Sequence, residues 1–395
     1  MTLDPTTDFK PALHDPAFHS GDPFPAYRRL REGATLHWSE TPGFWAVSRH
    51  EDVVAVSRDT ATFCSSQGTL LSDLERGVMP RQSILYIDPP EHGKYRKLVQ
   101  PAFSPGRLRA LEIRIRDTTR ELLDGFATGQ PVEFVEAFAA QLPILVIAEM
   151  LGVPGSDMEK FKEWSDAAIE AASDGSQESM AKAGELLQYF AAVLAERRTN
   201  PGPDILSTLV ASEIDGERLD EFDLLMFCMT LLVAGNETTR NLLSQGALAL
   251  AENPAELARL VAEPVLIPRA VEEMLRFGSP ILAFMRTALR DTEVRGTKVR
   301  AGERLLMLYA SANRDEAVFG PDAEAFRVTR DASGHVAFGF GEHFCLGAAL
   351  ARMEGRIAFE EIVQRWSRIE LAGAIESLPS MLVRGIVRLP VAFSA

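Results

Sequence analysis

The sequence predicts a mainly α protein with small peripheral β-sheets. Between residues 107 and 290 the chain is predicted as a series of helices, because apolar residues recur at helical spacing and the breaks coincide with Pro and Gly. Short apolar strands are predicted outside this region, at 44–48, 305–309 and 387–391. The strands therefore belong to small sheets at the edge of a helical body.

We expect a single domain over residues 1–395. Length alone would allow two or three average domains, but neither a low-complexity linker nor an internal repeat divides the chain. The helix-rich core is predicted at about 88–290. The β-containing parts are predicted at about 30–60 and 285–395.

The bulk composition is that of a soluble globular protein, with 25% charged and 46% apolar residues. The net charge of −15 argues against a nucleic acid as partner. The longest apolar stretch, 224–235, has 12 residues and is too short to span a bilayer, so no stable membrane insertion is expected. The first residues lack the basic start and apolar core of a secretory signal. Cys64, Cys228 and Cys345 form no close pair that would indicate a disulfide framework. We therefore predict a cytoplasmic protein.

One long helix is predicted from Asp220 to about Ala251, where Asn253-Pro254 ends it. At 1.5 Å per residue its length is about 48 Å. Its middle, residues 234–239, reads Ala-Gly-Asn-Glu-Thr-Thr and is rich in poor or middling helix formers. Local rules broken in mid-helix often indicate a functional site.

The chemistry of this segment depends on Thr238 and Gly235. The Thr238 hydroxyl can hydrogen-bond the carbonyl of Ala234 four residues earlier and bend the helix. Gly235 has no side chain, so the bend would open a notch large enough for a diatomic ligand. A simple helix kink beside a solvated Glu237 explains the same residues equally well.

A glycine-rich loop, residues 338–347, leads into another predicted helix and carries Cys345 close to the start of that helix. Unpaired backbone N–H groups and the helix dipole stabilise a thiolate there. A single thiolate suits iron better than zinc, which needs three or four protein ligands. The alternative is a buried structural cysteine.

This loop resembles the haem-binding loop of cytochromes P450, whose Gly-x-His-x-Cys-x-Gly pattern is met by Gly341, His343, Cys345 and Gly347. The 234–239 segment is similar to the same family's oxygen-binding motif. The resemblance covers essentially the whole chain. It implies the cytochrome P450 fold, with the long central helix over haem b, and Cys345 as the iron ligand. The haem would contact Ala234, Gly235, Phe338, Gly339 and Gly347.

By the same resemblance, Thr238 would hydrogen-bond O2 and Glu237 would relay protons. The haem carboxylates need cationic partners, and the family pattern assigns these to His92, Arg96, Arg286 and His343. Independently of the family, Asp88 is predicted to cap a helix that begins at Pro89, with Glu91 completing a capping box.

Glu273 and Arg276 fit the family's buried Glu-x-x-Arg pair, which is structural. The family's usual third arginine is missing because Ala325 precedes Phe326, so Arg330 is our candidate to replace it.

The substrate pocket of the family is predicted here to be largely aliphatic, which favours a small apolar organic substrate of steroid, terpenoid or lipid type. A hydrophobic core would have the same composition. The predicted substrate contacts are Leu85, Val233, Ile281, Leu282, Phe284 and Leu382.

A basic segment, residues 92–120, stands out in this acidic chain. Either it is a solvated helix face, or it docks an acidic ferredoxin that supplies electrons. Its basic residues are Lys94, Arg96, Lys97, Arg107, Arg109, Arg114, Arg116 and Arg120.

The resemblance implies a monomeric monooxygenase that hydroxylates its substrate with O2 and two external electrons. Two alternatives stay open: a peroxide-driven peroxygenase, which tends to lack the acid–alcohol pair, and a non-enzymatic haem-thiolate sensor or carrier, which would not need Glu237 and Thr238.

Overall fold

The computed structural model describes residues 9–76, 83–173, 177–213 and 216–395. The helices are α1 (Pro16–Ser20), α2 (Phe24–Glu32), α3 (His50–Arg58), α4 (Asp73–Arg76), α5 (Glu91–Val99), α6 (Pro105–Asp124), α7 (Gln141–Leu151), α8 (Met158–Ser173), α9 (Gln177–Thr199), α10 (Ile205–Ala211), α11 (Glu221–Glu252), α12 (Pro254–Ala262), α13 (Ile267–Gly278), α14 (Tyr309–Ala312), α15 (Glu316–Phe319) and α16 (Ala348–Arg365). The helical body and its peripheral strands confirm the predicted fold class.

The strands are β1 (His37–Ser39), β2 (Phe44–Val47), β3 (Phe63–Cys64), β4 (Pro131–Glu133), β5 (Ala283–Ala288), β6 (Thr292–Val294), β7 (Thr297–Val299), β8 (Arg304–Leu308), β9 (Arg368–Leu371), β10 (Glu376–Ser377), β11 (Ile386–Arg388) and β12 (Pro390–Ser394). The largest sheet has the order β1-β2-β8-β5-β3, with β2 and β8 parallel. Strands β4, β12 and β9 form a second sheet, while β10 pairs with β11 and β6 with β7.

The helical region ends earlier than predicted. Helix α13 stops at Gly278 because Ser279 adopts a left-handed conformation (φ 46°) and Pro280 follows it. Most of strand β5 lies at 285–288, where the predicted helical part (to about 290) and the predicted β-containing part (from about 285) overlap, so the helical part ends about ten residues earlier than predicted. Strand β4 also lies inside the predicted helical region.

Helix α11 confirms the predicted long central helix. Asp220 caps it by accepting from the backbone N–H of Asp223, and the Asp223 carboxylate accepts from the backbone of Asp220. The helix ends at Glu252, before Asn253-Pro254.

The predicted cap of α5 is wrong. This helix begins at Glu91, two residues later than predicted, and no side chain of the described residues caps it. The Asp88 carboxylate instead accepts hydrogen bonds from the backbone N–H groups of Ser65 and Ser66, at 2.7 and 3.3 Å. A contact that is distant in sequence thus takes the acceptor that the local rule had assigned to the helix.

The main hydrophobic core lies between α11 and its neighbours α7, α13 and α16. Close approach depends on glycine: a Cβ on Gly246 would lie 2.6 Å from the ring of Phe359, and one on Gly355 would lie 3.1 Å from Leu242. Helix α11 is therefore held on several sides, and the turn that carries the predicted oxygen motif has a fixed position. Within the described residues, no helix is long and apolar enough to cross a lipid bilayer.

Candidate active site

The Cys345 loop is shaped by two glycines and one backbone hydrogen bond. Gly339 (φ 69°) and Gly341 (φ 73°) occupy the left-handed region, where a side chain is strained. The backbone N–H of Cys345 donates to the carbonyl of Phe338 at 2.9 Å, which closes the loop. Helix α16 begins three residues after the cysteine, at Ala348. The predicted position of Cys345 close to a helix start is confirmed.

The Cys345 thiol is accessible to solvent although protein atoms surround it. Burial raises its pKa, while the backbone N–H of Gly347 and the charges of Arg96 and Arg352 act in the opposite direction. The helix start therefore favours a thiolate, as predicted, but burial outweighs it in the protein alone. A cation bound at the sulfur would reverse that balance.

The notch segment of α11 has the predicted hydrogen bond. Thr238 Oγ1 donates to the carbonyl of Ala234 at 2.6 Å. Ala234 is exposed, unlike most of the middle of this helix. A Cβ on Gly235 would lie 3.0 Å from Ile147 Cδ1 on α7. Gly235 therefore lets α7 pack closely, and the open side of the helix is at Ala234.

Glu237 is buried, with 8% of its surface exposed, and is held from two sides. Arg240 Nη1 lies 3.2 Å from its Oε2, and Asn241 Nδ2 donates to its Oε1 at 3.2 Å. The Arg240 contact lacks hydrogen-bond geometry, so Oε2 has no hydrogen-bond donor. The alternative of a solvated glutamate at a helix kink is thus wrong in one respect, because Glu237 lies inside the protein.

The four residues predicted to bind the haem carboxylates come together where α5, β5 and the cysteine loop meet. The rings of His92 and His343 have centroids 4.3 Å apart, and Arg286 and Arg96 are both close enough to lower the pKa of His343. Arg286 is 6% exposed, and its guanidinium donates to the carbonyl of Met285 at 2.7 Å but forms no ion pair with any residue that the structure describes. Burial lowers its pKa, and the charge of Asp88 acts in the opposite direction without a direct contact. A buried guanidinium without a carboxylate partner is a costly arrangement that an anionic ligand would relieve.

Burial, and then the charge of Arg286, lower the pKa of His343 to about 2, so this histidine is a neutral ring that contacts Ser65 Oγ at 3.1 Å. The carboxylate of Glu342 lies 3.2 Å from His92 Nδ1 and was not predicted from sequence. Arg96 Nη1 donates to the carbonyl of Phe344 at 2.7 Å, which ties α5 to the cysteine loop.

Glu273 and Arg276 form the expected buried ion pair, with distances of 2.6 and 2.8 Å. Arg330 Nε lies 3.3 Å from Glu273 Oε1, which is the position that we predicted for the third member. Arg276 also donates to the carbonyls of Asn313 and Ala323. The network joins α13 to the loop before the cysteine, so its role is structural.

One predicted substrate contact is wrong. Leu282 is fully buried in a core cluster with Leu13 and Phe24, so its side chain cannot reach a ligand. The other five predicted side chains remain partly accessible and keep the prediction: Leu85, Val233, Ile281, Phe284 and Leu382. Part of the predicted pocket loop, residues 77–82, lies outside the described residues.

The basic segment is less positive than its sequence indicates. Lys94, Arg114, Arg116 and Arg120 form ion pairs, the last two with Glu360 and Glu361 of α16. Arg107 donates to the carbonyl of Pro203. Among the residues that the structure describes, Lys97 and Arg109 are exposed members of the segment without an ion pair.

Sequence reasoning missed three further polar residues at the site. Arg240 and Asn241 follow Glu237 at intervals of three and four, the spacing at which helical side chains meet, so the pattern could have identified them. Arg352, one turn into α16, pairs with Glu272 at 2.7 Å and lies 4.6 Å from the ring centroid of Phe338.

The residues present fit a haem. An accessible cysteine sits in a loop closed by its own backbone, and a buried arginine that forms no ion pair with the described residues lies beside two histidines and Arg96. A cysteine ligand for the iron, and arginine and histidine partners for the carboxylates, are groups that a thiolate-ligated haem requires.

Comparison with known proteins gives the same assignment. The cytochrome P450 family profile matches residues 134–390. Vitamin D(3) 25-hydroxylase from Pseudonocardia autotrophica is 38% identical over 379 residues, covering 94% of this chain and 93% of the relative. Linalool 8-monooxygenase from Pseudomonas putida is 36% identical over 400 residues, covering 97% and 98%. The crystal structure of CYP109E1 from Bacillus megaterium in complex with testosterone matches with a TM-score of 0.86 and 35% identity, covering 95% and 100%.

The family profile spans more than half of the chain, and the relatives align over nearly all of it. Because the similarity reaches this level, the non-enzymatic alternative falls away. The chain belongs to the cytochrome P450 family and is a monooxygenase that uses haem b.

Proposed function

We propose that Cys345 ligates the haem iron, that Arg286, Arg96, His92 and His343 hold the haem carboxylates, and that Glu237 and Thr238 handle protons. The observation that carries this proposal is the buried Arg286 beside the cysteine loop, which forms no ion pair with any described residue. A solvent-exposed arginine would give no evidence for a bound carboxylate, whereas a buried guanidinium needs an anionic partner.

Haem held by a thiolate supplies the activation of O2 for insertion of one oxygen atom into a C–H bond. The chain's own part is to supply and place protons. Thr238 keeps its hydroxyl at the open side of α11 through its bond to Ala234. Glu237, one residue earlier, is a carboxylate that can pick up a proton and pass it on. This pair also argues against a peroxide-driven reaction, which needs no such supply.

The first test is the absorption spectrum of the reduced, carbon-monoxide-bound protein and of Cys345→Ser. A strongly red-shifted Soret band that Cys345→Ser loses is expected. A band typical of histidine-ligated haem would refute the ligand assignment.

The second test measures product formed per electron pair consumed, in the wild type and in Thr238→Ala. A several-fold loss of coupling is expected, at unchanged haem content. Thr238→Ser keeps the hydroxyl and is the matched control. If hydrogen peroxide drives the wild type as well as the electron donor does, the peroxygenase alternative is correct.

We further propose that the substrate is an apolar molecule of steroid or terpenoid size. The relatives' names specify vitamin D(3), linalool and testosterone for those proteins. In this chain the partly accessible Phe284 and Val233 are apolar side chains of β5 and α11, and they suit such a ligand.

Testosterone, vitamin D(3) and linalool are the probes for this proposal. A high-spin shift of the ferric Soret band on titration of at least one of them is expected. Phe284→Ala should weaken binding several-fold, while a change at the buried Leu282, such as Leu282→Val, should leave it nearly unchanged. No shift with any probe would refute the proposed substrate class.

The proposed electron donor is an acidic ferredoxin that docks on a monomer of this chain through Lys97 and Arg109. These two cations have no ion pair among the described residues, and Lys97 lies on α5, which is tied to the cysteine loop through Arg96. Unpaired surface charges near the electron entry accelerate association with an oppositely charged partner by 10-fold or more.

Stopped-flow reduction by a ferredoxin at low ionic strength tests this docking surface. The double variant Lys97→Ala/Arg109→Ala should reduce the second-order rate by roughly 10-fold and flatten its salt dependence. Arg114→Ala, whose wild-type residue pairs with Glu149, is the control and should have a small effect. Equal effects of the two changes would refute the proposed surface.

A further inference from the structure

Three polar side chains form a line along α11 that the sequence motif does not include. Glu237, Asn241 and Gln245 follow one another at intervals of four residues and therefore share one face of the helix. All three are buried, with 8%, 0% and 8% of their surface exposed. Their neighbours on the helix, such as Leu242 and Leu243, belong to the apolar core. A polar line of this kind inside a core is unfavourable unless water or other partners satisfy it.

The N-terminal part of the line, at Glu237 and Asn241, is incompletely hydrogen-bonded. Asn241 Nδ2 donates to Glu237 Oε1, but Asn241 Oδ1 and Glu237 Oε2 are buried and accept from no donor in the part of the chain that the structure describes. The side-chain oxygen of Asn236, one residue before Glu237, is likewise buried and unpartnered. Several unsatisfied acceptors in one place are the usual sign of ordered water.

The C-terminal end of the line, at Gln245, contacts the segment that precedes β11. Gln245 Nε2 donates to the carbonyl of Arg384 at 3.3 Å. A Cβ on Gly385 would lie 3.3 Å from Asn241 Oδ1 and 3.0 Å from Leu378 Cβ, so the glycine lets the backbone pass directly over the amide oxygen. Gly385 thus leaves the position of a Cβ beside Asn241 Oδ1 without a side chain, and Gly385 and Leu378 also line a space next to this segment.

That space is a cavity of about 70 Å³ at the protein surface. Gln245 and Gly385 line it together with the polar side chains of His19 and Ser377, and it reaches solvent at the exposed Gly21 and Ser377. A volume of this size accommodates roughly two water molecules, and its walls offer them hydrogen-bond partners.

We propose that this cavity is the entrance of a proton route to Glu237, in which Gln245 and Asn241 orient the water molecules. The inference rests on the proposed role of Glu237. Neither amide changes its protonation state: a proton passes from solvent through the ordered water to Glu237, and replaces the proton that Glu237 gives up towards Thr238. Arg240 binds the opposite carboxylate oxygen and keeps Oε1 on the side of Asn241.

The kinetic test uses Asn241→Leu and Gln245→Leu in the haem-loaded enzyme. Both should raise the solvent hydrogen isotope effect on turnover and lower product per electron pair several-fold, while the carbon-monoxide spectrum and substrate-induced spin shift stay unchanged. Gln245 lies beside the cavity, so its variant remains informative if Asn241→Leu folds poorly. Ser244→Ala is the control, because that hydroxyl bonds only to carbonyls of its own helix.

The structural test is a crystal structure of the haem-loaded wild type at a resolution that orders water. Water between Asn241 Oδ1 and the cavity is expected, and its loss is expected in Asn241→Leu. The absence of ordered water along Glu237, Asn241 and Gln245 would refute the proposed proton route. An unchanged isotope effect in both leucine variants, while Glu237→Gln still uncouples the enzyme, would also refute the route but not the role of Glu237. If Glu237→Gln itself leaves coupling intact, the proposed proton role of Glu237 fails instead.

Discussion

Glu354 should make the folded protein less stable as the pH rises. This residue of α16 is 2% exposed, and its Oε2 has no hydrogen-bond partner. Burial raises its pKa from 4.5 to about 8. Because the folded pKa lies above the unfolded one, the unfolded state releases this proton first. The resulting loss of stability begins near pH 4.5 and continues until about pH 8.

The magnitude follows from the two pKa values. Between pH 5 and pH 8 the linkage amounts to about 3–4 kcal/mol, at 1.36 kcal/mol per pKa unit. Glu354→Gln removes the titration and keeps the shape. The free energy of unfolding of the variant, relative to the wild type, should therefore rise by about 3–4 kcal/mol over that range. Urea unfolding of both haem-loaded proteins at several pH values measures this difference.

Glu361, two turns further along α16, is the matched control. Burial alone would raise its pKa, but hydrogen bonds from Arg120, Arg365 and Arg116 outweigh burial and hold it at about 2. Its stabilisation is complete above pH 4.5 and is lost as the pH falls towards 2, so Glu361→Gln should shift the curve between pH 5 and 8 by a constant amount. Parallel curves for Glu354→Gln and the wild type would show that Glu354 is not a buried, unpaired acid.

Two glycine substitutions test the geometry of the site. Gly341→Ala should destabilise the protein by about 1–3 kcal/mol and reduce haem content, because a Cβ at φ 73° would lie 2.7 Å from the carbonyl oxygen of Ser57. Gly106→Ala is the control and should leave haem content unchanged, because a Cβ on Gly106 would have no described atom within 4 Å. Gly235→Ala should lower the free energy of unfolding by about 1–3 kcal/mol through contact with Ile147, and Ile147→Val should remove part of that loss in the double variant. Additive effects of the second pair would refute the contact.

The sequence predicted elements whose ends are determined locally. Helix α11 was placed within one residue, because its cap Asp220 and its stop at Asn253-Pro254 are adjacent to the ends that they define. The boundary at strand β5 was left ambiguous, with the helical part and the β-containing part overlapping there, because this strand is stabilised by pairing with β8 and β3, which are distant in sequence. The capping error at Asp88 has the same cause, since Ser65 and Ser66 are far from α5 along the chain.

The site residues show the same difference between features set by neighbouring residues and features set by residues distant in sequence. Cys345 and Thr238 were singled out from short motifs whose geometry is local: the structure places Cys345 close to a helix start and gives Thr238 its expected hydrogen bond to Ala234. The charge of the basic segment was overestimated, because Glu360 and Glu361 reach it from the other end of the chain. Leu282 looked like its accessible neighbours in sequence, and only packing against Leu13 distinguishes it.

The buried polar networks around Glu273 and around Glu237 differ in how completely they are hydrogen-bonded, and this difference distinguishes a structural role from a catalytic one. In the Glu273 network each carboxylate oxygen accepts from at least one donor, including Arg276, Arg330 and the backbone N–H of Arg327. Such a network rigidifies the fold and has no unmet demand for a partner. Around Glu237, by contrast, several acceptors have no donor, and each one left dry would be unfavourable by about 1–3 kcal/mol. A fold that needed only rigidity there would do better with leucine, so the unsatisfied line along α11 indicates that water, and the protons it carries, belong at this place.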